Sequence, residues 1–372
     1  MRVLVVNAGS SSLKLRLLDE HDEILAENEL PAPHANIDRA ALAGALRSPL
    51  GQADAIGHRI VHGGERFRSA VRIDADVEAA LSELADLAPL HQQKSLDALD
   101  AVSVLLPELP AVACFDTAFH STLPAAAATY ALPQEWRDRW SVRRYGFHGL
   151  SHAWVARRAP KLLGRSAREL RIVSCHLGAG ASLCAIRDGA SIDTTMGFTP
   201  LEGIVMATRS GSVDPGLLLW LLTHEHLSAD ELLDALEHES GLLGLGGTAD
   251  MPELLARANA GDGRAQLAVQ VYLHSLRAGI AAMAAALGGI DALAFTGGVG
   301  ERSPTIRELT VNGLGFLGLA IDSAANQAEA GDRDISARES TGASLVLAAR
   351  EDLEIARQVK AVLDADGAHR SV

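Results

Sequence analysis

An α/β fold of two duplicated lobes with a cleft between them is predicted by two strand–turn–strand stretches and by a length of 372 residues. In the first stretch, residues 3–6 read as a buried strand. Leu13, Leu15 and Leu17 then alternate with Lys14 and Arg16, as in a strand with one wet face. Between them lies a Gly-Ser-Ser-Ser turn rich in backbone and hydroxyl donors. Such a turn can wrap an anion, with Lys14 just beyond it to add a full charge. Residues 172–186 repeat the plan. Aligning Gly9 with Gly178 sets Asn7 opposite His176 and, with one extra residue, Ser12 opposite Ser182. A third small-residue turn, Thr296-Gly297-Gly298-Val299-Gly300, again follows a short apolar run. Three such turns predict a nucleotide held between the lobes. The Walker pattern is absent, so a P-loop is not the expected grip.

The elements follow in order. Residues 40–46 read as a helix, and residues 55–65 as a strand entering a glycine turn, with Arg59 and Val61 on one face. Residues 76–87 form an amphipathic helix with acidic residues near its start. Pro89, Leu90 and His91 are expected to interrupt it before a second helix over residues 92–106. Residues 111–120 read as a strand with a polar end, where ligands collect in open α/β sheets. Ser151 is the expected cap of a helix over residues 153–163. Residues 193–203 are too rich in turn formers for a regular element, and Pro215 opens the next helix. Helices over residues 229–239 and 265–287, a strand over 344–347 and a helix over 353–363 complete the chain. The expected division is residues 1–120 plus 353–372 against 121–352.

Composition narrows the function. Apolar content of 48% against 22% charge is globular, and a net charge of −14 offers no basic face for nucleic acid. The helix over residues 265–287 is broken by Gln266, Gln270, His274, Arg277 and Gly279, which argues against a membrane span. No signal peptide is visible. Cys114, Cys175 and Cys184 are scattered in apolar stretches and read as reduced core thiols of a cytoplasmic protein.

Three chemistries fit poorly. The pairs His58/His62 and His148/His152 have zinc-like spacing, but glycine breaks or borders each. No G-x-S-x-G elbow suggests a hydrolase, and Leu183 stands where a dinucleotide fingerprint needs its third glycine. Phosphoryl transfer needs donors around a spreading negative charge, a divalent ion and alignment. Arg59 and Arg209 sit beside small residues and can reach a ligand, or form surface ion pairs. Asp116 can hold a metal or cap a turn, and His148 can meet a phosphoryl group or fill the core.

The segments VVNAGSSSLKL, GHRIVHGGE, LAPLH, CFDTAFH, YGFHGLSH, HLGAGASLCAI, DTTMGFTPLEG, ATRSGSVDP, SGLLGLGG and FTGGVGER, in this order over nearly the whole chain, resemble the acetate kinase family. The resemblance implies the actin-like ATPase fold of the acetate and sugar kinase, heat-shock cognate and actin superfamily, with ribonuclease H-like mixed sheets flanked by helices. It implies reversible transfer of phosphoryl from ATP to acetate, giving acetyl phosphate and ADP. It also implies magnesium, with manganese able to substitute, and a homodimer.

Residue by residue, it assigns Asn7 and Glu351 to the metal, and Ser10, Ser12 and Lys14 to the first phosphate loop. Arg59 and Arg209 would embrace acetate and the transferring group, with Asp116 and His148 also catalytic. Val61, Leu90, Phe147 and Pro200 would form the methyl pocket. His176, Gly178 and Gly180 match the second phosphate loop, and Asp250, Gly297, Gly298 and Val299 the adenosine site. Ala179, Pro252, Arg302, Arg350 and Asp352 depart from the family's usual residues, mostly on the nucleotide side. A longer carboxylic acid, a phosphoryl donor other than ATP, and a non-catalytic nucleotide switch are the competing readings.

Overall fold

Strand-forming runs assemble two six-stranded sheets of one topology in the computed structural model. It describes all residues except 10–11, 32–36, 48, 85–88, 330 and 371–372, with backbone alone for 89–91 and 368–370. The first sheet holds β1 (Val3–Ala8), β2 (Ser12–Leu18), β3 (Ile24–Pro31), β4 (Ala55–Ile60), β5 (Val71–Arg72) and β6 (Ala111–Phe115), in the order β3-β2-β1-β4-β6-β5. The second holds β7 (Arg171–Leu177), β8 (Ala181–Arg187), β9 (Ala190–Thr194), β10 (Ala292–Thr296), β11 (Arg333–Asp334) and β12 (Ala343–Val346), in the order β9-β8-β7-β10-β12-β11. Each begins with an antiparallel meander, continues through parallel pairs and ends in one antiparallel edge strand.

The chain divides into two units. The first comprises Met1–Ser121, Phe147–Trp154 and Arg350–Val372, and the second Thr122–Gly146 and Val155–Ala349. In the first, β1 is apolar on both faces because both are covered. Leu4 and Val6 pack with Leu13, Leu15, Leu42, Leu50 and Val102, whereas Val3 and Val5 pack with Val112, Ile355, Ala356 and Val359. Each such valine, leucine or isoleucine contributes about 1.5–3 kcal/mol on full burial. The helix Glu351–Arg370 lies directly on the sheet. A Cβ at Gly57 would stand 2.5 Å from Ile355 Cγ2 and 2.7 Å from Val359 Cγ2.

In the second unit, helix Gly263–Leu287 covers β8 and β7. Asp262 caps its start, and Gly288 at φ 71° ends it in the left-handed conformation that glycine adopts without penalty. The three cysteines are buried and unpaired, and burial pushes each thiol up. Among the described residues no helix is long and apolar enough to cross a membrane.

Four expectations need correction. Pro89 is the first residue of helix Pro89–Leu105 and not part of an interruption, a position where its missing N–H costs nothing. Ser151 lies inside helix Gly149–Leu163 and is buried, because the helix starts where Gly149 N–H meets the Asp116 carbonyl at 2.8 Å. Asp193 and Thr194 belong to β9, since β8 pairs with them before the turns begin. The turn at Gly297 is a strand-to-helix junction, and Gly297–Arg302 is helical.

Two buried histidines of the first unit make its stability pH-dependent. Neither ring nitrogen of His58 has a hydrogen-bond partner, and burial lowers its pKa to about 4. Burial likewise brings His120 to about 4, although its Nε2–H donates to the Phe147 carbonyl at 3.0 Å. The unfolded chain binds these protons near pH 6.5 and the folded chain does not. Stability is therefore full above pH 6.5 and falls as pH drops toward about 4, by about 1.4 kcal/mol per pH unit for each histidine. Urea unfolding of His58→Leu between pH 7 and pH 5 should show a slope shallower by about that amount. An unchanged slope contradicts the assignment.

Candidate active site

Charged side chains of the first unit gather at the carboxyl ends of β1, β4 and β6. Arg59, on β4, donates from Nε to Asp116 Oδ1 at 3.0 Å and to Oδ2 at 3.2 Å, and from Nη2 to Oδ2 at 2.5 Å. Its Nη1 donates to Asn7 Oδ1 at 3.1 Å and lies 3.9 Å from Glu351 Oε2. Asn7 Nδ2 in turn donates to Glu351 Oε2 at 2.9 Å. One amide thus joins the guanidinium to the carboxylate that opens the C-terminal helix.

The cluster carries one cation against two carboxylates and is shielded from water, with Arg59 side-chain exposure of 14% and Asp116 of 2%. Burial alone would weaken the proton on Arg59, but Asp116 and Glu351 more than offset it and raise its pKa. Burial also lifts the Asp116 carboxyl above the usual carboxylate range. Glu351 adds to that rise, against the pull of Arg59 and of the His148 amide.

Asp116 is held by backbone as well. Its N–H donates to the Ile60 carbonyl at 3.0 Å, and the backbone N–H of His148 donates to its carboxylate. His148 has φ of 54°, a left-handed conformation uncommon outside glycine, and so turns its amide toward Asp116. A Cβ at the next residue, Gly149, would stand 2.1 Å from the Asp116 carbonyl oxygen, so only glycine fits.

Val61 and Phe147 are buried in the same unit, and the Phe147 ring meets His62 edge-on at 5.5 Å. Gln92 fixes the backbone after Val61. Its Oε1 accepts from His62 N–H at 2.9 Å, and its Nε2 donates to the His62 carbonyl at 3.1 Å. The side chain of Leu90 lies outside the described residues, as does Ser10. Ser12 donates to Glu29 at 2.5 Å, and Lys14 pairs with Glu29 at 3.9 Å on the exposed face of β2.

In the second unit, Arg209 lies on a loop with its side chain 13% exposed. Its Nη1 donates to the Pro200 carbonyl at 2.9 Å and contacts Met206 Sδ at 3.6 Å, while Nε stands 3.1 Å from Glu237 Oε2. Burial lowers its pKa and Glu237 opposes the fall. The loop is joined to the second glycine turn, because Ala207 N–H donates to the Ala179 carbonyl at 3.1 Å. That turn closes with Gly178 N–H donating to the Gly180 carbonyl at 3.0 Å, and His176 stands beside it at the end of β7. Gly241 seals the far side. At φ 60°, a Cβ there would lie 2.3 Å from the Met206 carbonyl oxygen and 2.7 Å from that of Arg209.

Asp250 caps helix Met251–Asn259 by accepting from Glu253 N–H at 2.8 Å. Gly297, Gly298 and Val299 form the first turn of their helix, where Gly297 N–H donates to Glu301 Oε1 at 3.0 Å.

The structure therefore joins Asn7, Arg59, Asp116, Glu351 and the His148 backbone in one unit, and Arg209, Pro200 and the 178–180 turn in the other. Arg59 and Arg209 both sit in buried ion pairs, not surface ones. Sequence reading missed Gln92 and Glu237. Neither stands in a quoted segment, and an isolated polar residue in a helix gives no sign that it faces inward.

Two sheets of one topology, with the Arg59 ion-pair cluster at the strand ends of the first and Arg209 on a loop of the second unit, define an actin-like ATPase fold carrying phosphotransferase chemistry. The chain belongs to the acetokinase family, whose model matches residues 40–357. It is 44% identical to the acetate kinase of Gloeobacter violaceus, over 96% of this chain and 98% of that one. Acetate kinase from Porphyromonas gingivalis matches at a TM-score of 0.88 and 36% identity, covering 97% of this chain and 99% of that one. A propionate kinase from Francisella tularensis gives 0.89 and 34% over the same shares.

Gly149→Ala tests the backbone clamp on Asp116. A shift near 1 Å at a reacting group costs about 100-fold, so kinase turnover should fall by about that factor. Turnover at the wild-type rate would show that the clamp does not govern the site.

Proposed function

We propose that this chain transfers the γ-phosphoryl group of ATP to acetate, reversibly, giving acetyl phosphate and ADP. The network joining Arg59, Asp116, Asn7 and Glu351, in a chain of the acetokinase family, carries this reading. Acetate is ionised at pH 7 and needs no general base to attack phosphorus. Its oxygen forms the new bond to phosphorus as the bond to the ADP oxygen breaks, directly and in line. Asp116 orients Arg59, while Arg59, Arg209 and His148 stabilise the charge that spreads over the transferring group. Val61, Leu90, Phe147 and Pro200 are the proposed methyl pocket. Ser10, Ser12, Lys14, His176, Gly178 and Gly180 are the proposed phosphate contacts, with Asp250, Gly297, Gly298 and Val299 for adenosine.

Glu351 and Asn7 offer hard oxygen donors suited to magnesium. Among the described residues no group of three or more His, Cys, Asp or Glu side chains could hold a metal. Magnesium takes one or two protein ligands and completes its shell with phosphates and water. Bound there, it would neutralise phosphate charge.

A cytoplasmic setting suits the three unpaired cysteines. A homodimer suits helix Pro215–His224, whose Leu217, Leu219 and Trp220 are 47%, 63% and 46% exposed.

Hydroxamate trapping with acetate, ATP and magnesium should detect acetyl phosphate, and its absence would refute the reading. Arg209→Ala should lower turnover by about 100-fold or more, the scale of one lost oxyanion donor; near-normal turnover would remove Arg209 from the chemistry. The likeness to a propionate kinase favours one further test. Val61→Ala should shift kcat/KM toward propionate by about tenfold, the worth of one methylene, and an unchanged preference would take Val61 out of the pocket.

A further inference from the structure

The Arg209 side chain is largely withdrawn from water, and a guanidinium so placed is costly unless a partner balances its charge. Its partner Glu237 is only 7% exposed, so the pair is shielded from water. Glu237 stands in a turn of π-helix, Ala235–Glu239, that follows the regular helix Ala229–Asp234. Such turns shift the helical register and are frequent at functional sites. Here the turn meets the Arg209 loop with backbone as well as side chain. Ser210 N–H donates to the Leu236 carbonyl at 3.1 Å, and Thr208 Oγ1 donates to the Glu237 carbonyl at 2.8 Å. Ser240 N–H donates to the Thr208 carbonyl at 2.9 Å. The carboxylate is thus held rigidly against Arg209.

Two anchors act on one plane. Glu237 faces Nε and the Pro200 carbonyl accepts from Nη1, which together fix the rotation of the guanidinium. The Pro200 loop is braced in its turn. Tyr130 donates its hydroxyl proton to Glu202, Arg144 Nη2 donates to Glu202 Oε1 at 2.8 Å, and Phe198 N–H donates to the Tyr130 oxygen at 3.0 Å.

We propose that Glu237 is the positioning residue for Arg209, holding its guanidinium in the orientation that phosphoryl transfer uses. Glu237 acts through Arg209 and touches no substrate. The inference rests on the role assigned to Arg209 above, and it adds a residue that this role requires.

The test is a double-mutant cycle on the full chain with acetate, ATP and magnesium. Glu237→Gln keeps the side chain's shape and removes its charge. It should lower kcat by about tenfold or more with a smaller change in KM for acetate, and Glu237→Asp should restore part of the loss. In the Arg209→Ala background, Glu237→Gln should cost less than about twofold more, because its target is gone. A Glu237→Gln enzyme within about twofold of wild type, or an equal loss in both backgrounds, overturns the proposal.

A measurement without substrate keeps the two readings apart. The Arg209 Nε–H signal in a nitrogen–proton correlation spectrum, assigned by its loss in Arg209→Ala, should move in Glu237→Gln. Wild-type protein that makes no acetyl phosphate would defeat the proposed reaction, while this signal would still test the pair. A signal that does not move would defeat the pairing even in an active enzyme.

Discussion

A guanidinium taken out of water needs a carboxylate beside it, and this constraint shapes both units. In the first, Asp116 and Glu351 flank Arg59; in the second, Glu237 balances Arg209. Each pair also fixes backbone. Asp116 anchors the start of helix Gly149–Leu163, and the turn bearing Glu237 anchors the Arg209 loop. The two ends of each pair come from segments distant in sequence, so tertiary structure must form before either cation is tolerated. An acidic exterior suits this arrangement, since it keeps the positive charge local to the places where an anion would be held.

The duplicated sheets show how one framework came to carry different groups. His58 lies opposite Val6 and Ala113, and Phe295 lies opposite Cys175 and Val346. By that register Thr296 takes the place of Arg59, Ala349 that of Asp116, and His176 that of Asn7. The second sheet therefore has small or neutral residues where the first has its ion pair. Its own arginine arrives on a long loop instead. Identical topology fixes where a ligand-facing residue stands, and side chains alone decide what it does there.

Much of the fold was legible because strand alternation is local. The run of Leu13, Leu15 and Leu17 marked β2, and the paired glycine turns revealed the duplication before any contact was known. Helix starts were harder. Ser151 has the chemistry of a cap but is buried, because a tertiary bond to the Asp116 carbonyl set the start at Gly149, four residues before the expected one. Pro89 looked like a break and is a first helical residue. At the site, Arg59, Asp116 and Asn7 stood out beside small residues and at strand ends. Glu237 did not, since its inward aim comes from a change of helical register that leaves no pattern in composition.

Glu351, on the helix that lies against the first sheet, bears on how the molecule is made. A ribosome delivers β1, β4 and β6 early, yet their shared charged cluster lacks its second carboxylate until residue 351 and the helix behind it have emerged. Val3, Val5 and Val112 lack the Ile355, Ala356 and Val359 part of their cluster for the same interval. The nascent chain must then wait with an open apolar surface, a state that chaperones bind, and the last helix both ends that exposure and completes the cluster.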